Sequence, residues 1–273
     1  MKTLKLILLC LFVSTHSFAN VSPKEKDALI ALYKATNGHN WNSTWDLEAP
    51  VETWHGVKLD SEKVVEINLQ FNNLDGHLPN EIGDLLYLRK MNLGFNKLKG
   101  TIPSSIKNLL DLKVLELFMN GFEGKIPSEL GKLRDLESLK LYSNKFSGEI
   151  PTELMELKNL KELLLGSNYL TGHIPNEIYA LSKLEKLSLM DNKMDGEIPV
   201  EIAQLKNLQE LLLSTNQFTG NLPIEFMQMD KLSTIMVSDN NLNMEYISVS
   251  GNQPVFNKMD LQSATATMDI EKE

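Results

Sequence analysis

A repeat of 24 residues, running from Val64 to about residue 242, constrains the fold of this chain more than any other feature. Apolar residues recur at the first, fourth and sixth positions of each repeat, and asparagine occupies the ninth position in all eight copies. Seven of the ten prolines share one phase of the repeat, and seven of the fifteen glycines share another. A fixed period of this length predicts a solenoid of stacked, structurally equivalent turns.

The residue type at each position indicates its physical role. Apolar residues at the fourth and sixth positions predict a short strand whose alternate side chains point inward. Asparagine carries both donors and an acceptor, so a stacked column of asparagines can satisfy the backbone where each strand bends into its loop. Glycine tolerates a left-handed backbone and proline lacks an amide donor, so both favour a turn after the strand.

The residues that follow each proline predict a short helical turn. Five of them are good N-cap residues, and glutamate follows four of these, where a helix dipole favours negative charge. The five are Asn80, Ser104, Ser128, Thr152 and Asn176. Val200 and Ile224 stand at the same position without a capping oxygen, so we expect the last two turns to be less well defined.

The leucine, asparagine, glycine and Ile-Pro positions together resemble the plant-type class of leucine-rich repeats, which is also known from secreted bacterial proteins. The resemblance covers residues 64–242, as seven full repeats and a partial eighth. It implies an α/β solenoid with a parallel sheet on the concave face, short helical turns on the convex face and an N-terminal helical cap. It also implies recognition outside the cytoplasm, and some secreted relatives inhibit enzymes that degrade polysaccharides.

Residues 20–63 are interpreted as the N-terminal cap. The segment from Ser22 to Glu25 is a capping box with proline at the first helical position. Three tryptophans between this helix and the first repeat either cover the open end of the core or form a sugar-stacking site; they are Trp41, Trp45 and Trp54. Plant caps usually carry paired cysteines here, and their absence favours a relative from a bacterial envelope or secretome.

The two ends of the chain fall outside the repeat. Residues 1–19 combine two lysines, an apolar run and small residues before position 20, which predicts a secretory signal peptide. The single cysteine, Cys10, lies in that segment, so the processed chain has no disulfide. Residues 243–273 are interpreted as a C-terminal cap or tail. After signal removal no segment is apolar enough to span a membrane, so we expect a secreted or cell-envelope protein.

Charge and residue placement argue against several classes of function. A formal net charge of −9 opposes binding to nucleic acid or to an anionic membrane. The histidines after the signal segment have no spacing that places two of them beside a carboxylate, so no metal or cofactor site is predicted. The sequence lacks a nucleophile elbow and a phosphate-binding glycine loop, and we expect no enzymatic activity.

Outward-facing positions of neighbouring repeats lie side by side in a solenoid, so each position forms a row across the concave face. The second and third positions mostly alternate in charge, which predicts a neutralised, solvated ladder. The fifth, seventh and eighth positions instead carry apolar residues that together predict a diagonal apolar band. Its members are Phe71, Phe95, Phe118, Met119, Tyr142, Leu164, Met190, Leu212 and Met236.

This band predicts a binding site for a protein or peptide, because aromatic and methionine residues are enriched at interface centres. Phe118 and Tyr142 are the expected anchors, with Glu116 and Lys140 beside them as polar groups that select the ligand. The side chain of Phe71 and its equivalent in the next repeat are either exposed or tucked beneath the adjacent loop. Glycan binding and an adhesive or structural role through self-association remain open.

Overall fold

The computed structural model describes residues 21–243, so the predicted signal peptide and nearly all of the predicted C-terminal segment lie outside the described residues. Helix α1 (Pro23–Ala35) comes first. The strands that follow form two sheets, of nine and six strands within residues 21–243.

The larger sheet forms the concave face. Its strands are, in spatial order, β1 (Val57–Asp60), β2 (Lys63–Asn68), β4 (Lys90–Asn92), β6 (Val114–Glu116), β8 (Ser138–Lys140), β10 (Glu162–Leu164), β12 (Lys186–Ser188), β14 (Glu210–Leu212) and β15 (Thr234–Met236). Strand β1 is antiparallel to β2, and the other pairs are parallel. Glu162 lies opposite Lys186, and Leu163 opposite Leu187, 24 residues later in each case. Equivalent positions therefore form the predicted rows.

The smaller sheet was not predicted from the sequence. All its strands are parallel, and they follow the asparagine position of their repeats: β3 (Asp75–His77), β5 (Lys97–Gly100), β7 (Gly121–Gly124), β9 (Lys145–Gly148), β11 (Tyr169–Gly172) and β13 (Lys193–Met194). Inside this sheet a column of phenylalanines is fully buried, and the rings of Phe122 and Phe146 are parallel with centroids 6.1 Å apart. The backbone that follows each strand of the larger sheet is thus hydrogen-bonded to the equivalent backbone of the neighbouring turn.

The asparagine column has the predicted role. The Asn144 amide Nδ2 donates to the carbonyl oxygens of Leu117, Leu141 and Tyr142 at 3.0–3.3 Å. Its Oδ1 accepts from the backbone N–H of Phe122 at 3.1 Å. One side chain thus satisfies four backbone groups of two adjacent turns. The same pattern recurs at Asn120, Asn168, Asn192, Asn216 and Asn240.

The convex turns differ from the prediction in how they are capped. They are five-residue 3-10 helices: Asn80–Asp84, Ser104–Asn108, Ser128–Lys132, Thr152–Glu156, Asn176–Ala180, Val200–Gln204 and Ile224–Gln228. The preceding proline is the N-cap in each, so the expected side-chain caps do not form. Backbone bonds spanning three residues close the turns, as in Ile82 N–H to Pro79 O at 3.2 Å. The last two turns form in the same way, so the expectation that they are less well defined was wrong.

The N-terminal segment packs onto the first repeat. Glu25 is buried; its Oε2 accepts from Ser22 Oγ at 2.8 Å and its Oε1 from the backbone N–H of Val64 at 3.0 Å. The capping carboxylate therefore also joins the helix to the edge of the solenoid. The three tryptophans are buried and their indole N–H groups donate to backbone carbonyls, so no indole face is available for stacking on a sugar.

Candidate binding surface

Four aromatic rings form a continuous row across the first four repeats. The rings of Phe71 and Phe95 are stacked, with centroids 4.2 Å apart. Phe118 meets Phe95 edge-on at 5.6 Å and is stacked on Tyr142 at 4.7 Å. Contacts of this kind stabilise each pair by about 0.5–1.5 kcal/mol beyond the burial of their surface. The predicted residues of these repeats are therefore in mutual contact.

At the N-terminal end of this row, Phe71, Phe95 and Met119 form what we call the N-terminal platform. These residues are 63%, 37% and 38% exposed, which resolves the open question about the two phenylalanines in favour of exposure. All three have a left-handed backbone, with φ between 51° and 60°. Bulky residues seldom adopt this conformation, whereas the later repeats place serine, threonine or aspartate there. The platform lines a shallow groove with Asn42 and Lys97.

Phe118 is not the exposed anchor that the sequence predicted. Only 7% of the residue is exposed. Its ring lies over Gly94, where an added Cβ would stand 2.6 Å from Phe118 Cζ. The missing side chain in one repeat thus makes room for the aromatic ring of the next. A glycine followed 24 residues later by a bulky residue is the sequence signal that would have revealed this packing.

Farther along the concave face, the structure gathers Tyr142, Leu164, Met190 and Leu212 around Gly166, in what we call the central pocket. The four side chains come from positions five and seven of repeats four to seven, and all are partly exposed. Gly166 was not singled out from the sequence. Because it has no side chain, the face is indented at this point and Met190 leans across it. The open pocket has a volume of about 340 Å³.

Ion pairs border the central pocket. Lys140 Nζ lies 3.1 Å from Glu116 Oε1 and 3.1 Å from Glu162 Oε2, and Ser138 Oγ donates to the same Glu162 oxygen at 2.9 Å. Lys186 pairs with Glu210 at 2.9 Å. The Lys186–Glu210 pair joins third positions of adjacent repeats and belongs to the predicted neutralised ladder, whereas Glu116 and Lys140 stand at the fifth position. Glu116 and Lys140 already bind each other, so either must share its hydrogen bonds with any ligand it selects.

The pKa shifts at this edge reflect the same contacts. Burial opposes the charged form of Lys140, but the hydrogen bonds to Glu162 and Glu116 outweigh it and raise the pKa of the ammonium group. Burial likewise opposes ionisation of Glu162, yet Ser138 and Lys140 hold the pKa of this carboxyl below its usual range. Burial raises the pKa of the Tyr142 hydroxyl. The pocket border thus holds two ammonium groups and three carboxylates, and each has an opposite charge within 3.1 Å.

The predicted band is thus two surfaces separated by a buried ring. Met236 lies beyond the pocket on β15, opposite Leu212.

Sequence reasoning missed the polar side of the pocket formed by Lys186, Ser188 and Glu210. Two amide side chains near the platform are bonded to each other, since Asn92 Nδ2 donates to Gln70 Oε1 at 3.1 Å.

Within residues 21–243, no group of three or more histidine, cysteine, aspartate or glutamate residues is arranged to hold a metal ion. No helix in the same part of the chain is long and apolar enough to cross a bilayer.

The chain is a solenoid repeat protein, because equivalent strands stack in parallel along it and a helical segment caps the first repeat. Six segments of the chain match the family described as Leucine Rich Repeat: residues 63–85, 87–109, 111–133, 135–157, 159–181 and 207–229. The chain belongs to the leucine-rich repeat family, of the plant-type class. No curated protein matches it in sequence.

Solved structures similar to this chain include plant receptor ectodomains. The complex PEPR1-AtPEP1 is 34% identical with a TM-score of 0.74, covering 80% of this chain and 31% of that one. The leucine-rich repeat ectodomain of the Arabidopsis thaliana membrane receptor kinase GASSHO1/SCHENGEN3, in complex with CASPARIAN STRIP INTEGRITY FACTOR 2, is 30% identical with a TM-score of 0.75, covering 80% and 27%. The plant peptide hormone receptor RGFR1 in complex with RGF2 is 32% identical with a TM-score of 0.58, covering 61% and 30%. The chain thus spans about a third of the length of these proteins.

Proposed function

We propose that this protein is a secreted or surface-located, non-catalytic recognition scaffold that binds an extended peptide segment of a protein partner on its concave face. The central pocket is the main contact, and Tyr142, Leu164 and Leu212 receive an apolar side chain of the ligand. The N-terminal platform provides a second contact on the same face. Glu116, Lys140 and the neighbouring charged residues select the polar groups of the ligand.

The observation that carries this proposal is the central pocket itself. Leu164 and Leu212 end two strands of a hydrogen-bonded sheet, and Tyr142 and Met190 lie two residues beyond the ends of the strands beside them, so the pocket is preorganised and a ligand need not order it. Charged groups at its border are paired, so an apolar side chain can enter without leaving an ion desolvated and alone. A concave apolar site with a few polar groups is typical of ligand sites.

The similar structures support the same function. One of them is described as a plant peptide hormone receptor in complex with RGF2, and another as the ectodomain of a membrane receptor kinase in complex with a named factor. Their location outside the cell supports secretion or surface display of this chain, as does the signal peptide predicted from residues 1–19. Since the fold hosts different functions, the pocket carries the proposal and the likeness supports it.

A library of random peptides displayed on phage, selected against the immobilised chain, tests this function. Peptides that bind the unchanged chain are then measured against Leu164→Glu, which introduces an unpaired charge into the pocket. We expect affinity to fall at least about tenfold. Tyr179→Ser is the matched control, because Tyr179 is 49% exposed on a convex turn. Unchanged binding by Leu164→Glu, or no enrichment over the bare support, would contradict the proposal.

A further inference from the structure

A groove near the C-terminal end of the solenoid lies outside the concave face. It stands where the smaller sheet ends and the convex turns begin, and it has a volume of about 650 Å³. We call it the acidic groove, because Glu197, Glu201 and Glu225 line it. Among the described residues that line it, none is lysine or arginine. The concave binding surface therefore does not account for this groove.

The three carboxylates of the groove are close together and lack positive partners. Within residues 21–243 none of them forms a salt bridge, whereas the glutamates beside the central pocket are paired. Glu197 lies across Gly220, where an added Cβ would stand 3.0 Å from Glu197 Cγ and 3.1 Å from its Oε1. Glu201 and Glu225 stand at the same phase of adjacent turns. Their combined charge attracts a positively charged ligand.

The same groove has an apolar side. Val200 stands where the five preceding turns have asparagine, serine or threonine, and it is 44% exposed. Its turn has the same length as the others and is closed by the same backbone bonds, so the turn does not require valine. Pro199 and Pro223 line the groove beside it. Apolar surface next to carboxylates suits lysine and arginine, whose hydrocarbon stems pack on apolar groups while the charged ends reach an anion.

We propose that the acidic groove binds a cationic peptide segment of a second partner, with lysine or arginine stems on Val200 and their charged ends on the three glutamates. A peptide suits the groove because the carboxylates are spread over two adjacent turns and the volume lies within the range of ligand sites. The concave face is a separate surface. The chain can then hold two partners at once, one on each surface.

Charge reversal in the full chain tests the groove. The probes are fluorescein-labelled peptides with three arginines, either consecutive or alternating with glycine, and fluorescence anisotropy measures their affinity. Glu201→Lys should weaken binding about tenfold, because it replaces an attraction by a repulsion. Glu129→Lys is the matched control, since Glu129 has the same phase in an earlier turn, is also partly buried and lies outside the groove. It changes the net charge equally, and affinity should change less than about twofold.

The apolar side of the groove is tested separately. Val200→Asn should weaken binding about threefold, because asparagine offers less apolar surface to the arginine stem; it is the natural residue at this phase in Asn80 and Asn176. Leu110→Asn is the control, since Leu110 is 59% exposed on a distant convex turn, and it should have no effect. Peptides with diaminopropionic acid in place of arginine keep the charge but lack the long stem, so their affinity should not respond to Val200→Asn.

Three outcomes would overturn the proposal. The first is that neither arginine peptide shows saturable binding, or that Glu129→Lys weakens binding as much as Glu201→Lys, which would indicate general attraction to an acidic protein. The second is a loss of binding in Leu164→Glu, which would place the peptide on the concave face. The third is self-association of the chain that Glu201→Lys abolishes, because the groove would then belong to a second copy.

Discussion

The N-terminal platform and the central pocket are built on one repeat frame, yet they expose apolar atoms in different ways. The platform uses position eight, beyond the end of the strand, where the backbone is left-handed and the side chains stand in solvent. The pocket uses position five, at the end of each strand, and position seven, two residues beyond it, where partly exposed side chains lie beside ion pairs. The frame therefore fixes where a side chain is displayed, and the outward residue types decide what is displayed.

Phe118 separates the two surfaces, and its removal has the largest expected effect. Phe118→Ala deletes a residue that is 7% exposed and should lower the free energy of unfolding by about 3 kcal/mol. Phe71→Ala deletes the ring of a residue that is 63% exposed and should lower the free energy of unfolding by less than about 1 kcal/mol. Urea unfolding of both variants checks this. Equal losses would mean that the two rings are equally buried in solution.

Two glycines make the comparison sharper. A Cβ at Gly94 would stand 2.6 Å from the rigid ring of Phe118, whereas one at Gly166 would stand 3.0 Å from the Met190 side chain and 3.1 Å from the Met190 backbone oxygen. Gly94→Ala should therefore lower the free energy of unfolding by about 2 kcal/mol, and Gly166→Ala by about 1 kcal/mol. Thermal unfolding followed by circular dichroism measures both. A larger loss for Gly166→Ala would show that the packing around Gly166 is more rigid than the packing around Gly94.

Acid should affect the border of the central pocket. The pKa of Glu162 is lower in the folded chain than in the unfolded chain, so the unfolded chain takes up a proton first as pH falls. The stabilisation is present above the unfolded pKa and is lost as pH decreases below about 4, at a cost of about 1 kcal/mol. Urea unfolding at several pH values measures this loss, and Glu162→Gln should reduce its size. An unchanged pH dependence in this variant would contradict the lowered pKa.

The smallest effect expected is a gain in stability on the platform. Met119 has φ 51° and is 38% exposed, and asparagine tolerates this conformation better than methionine. Met119→Asn should raise the free energy of unfolding by about 0.5 kcal/mol. Met236→Asn, on strand β15, should lower it, because Met236 is partly buried in an extended strand. A loss of stability in Met119→Asn would show that the packing of the methionine side chain outweighs the cost of its left-handed backbone.

Much of the fold followed from the sequence because each repeat position has one dominant physical demand. Leucine spacing predicted the strands, and the asparagine column predicted the hydrogen bonds that Asn144 makes to two adjacent turns. Capping was mispredicted because the turns are too short to need a side-chain cap, and backbone bonds alone close them. The second sheet was missed because its strands contain glycine and lysine, which are weak strand signals.

The candidate site was only partly predictable. The sequence identified every residue of the platform and four apolar residues of the pocket, since apolar residues at outward positions stand out against a regular repeat. It did not show that Phe118 would fold over Gly94, or that Gly166 would indent the sheet between its neighbours. Those contacts join residues 24 positions apart in the sequence. Whether a side chain there is buried or exposed depends on the space that the neighbouring turn leaves.

The sequence by itself determined the solenoid, because a strict period allows each turn to bury its leucines only against identical neighbours. It also determined which residues lie on the concave face, since strand alternation leaves no other direction for them. Only the tertiary structure decided which of those residues are exposed. Exposure depends on the volume of the residue in the adjacent turn, and a glycine or a phenylalanine there changes the result without changing the fold.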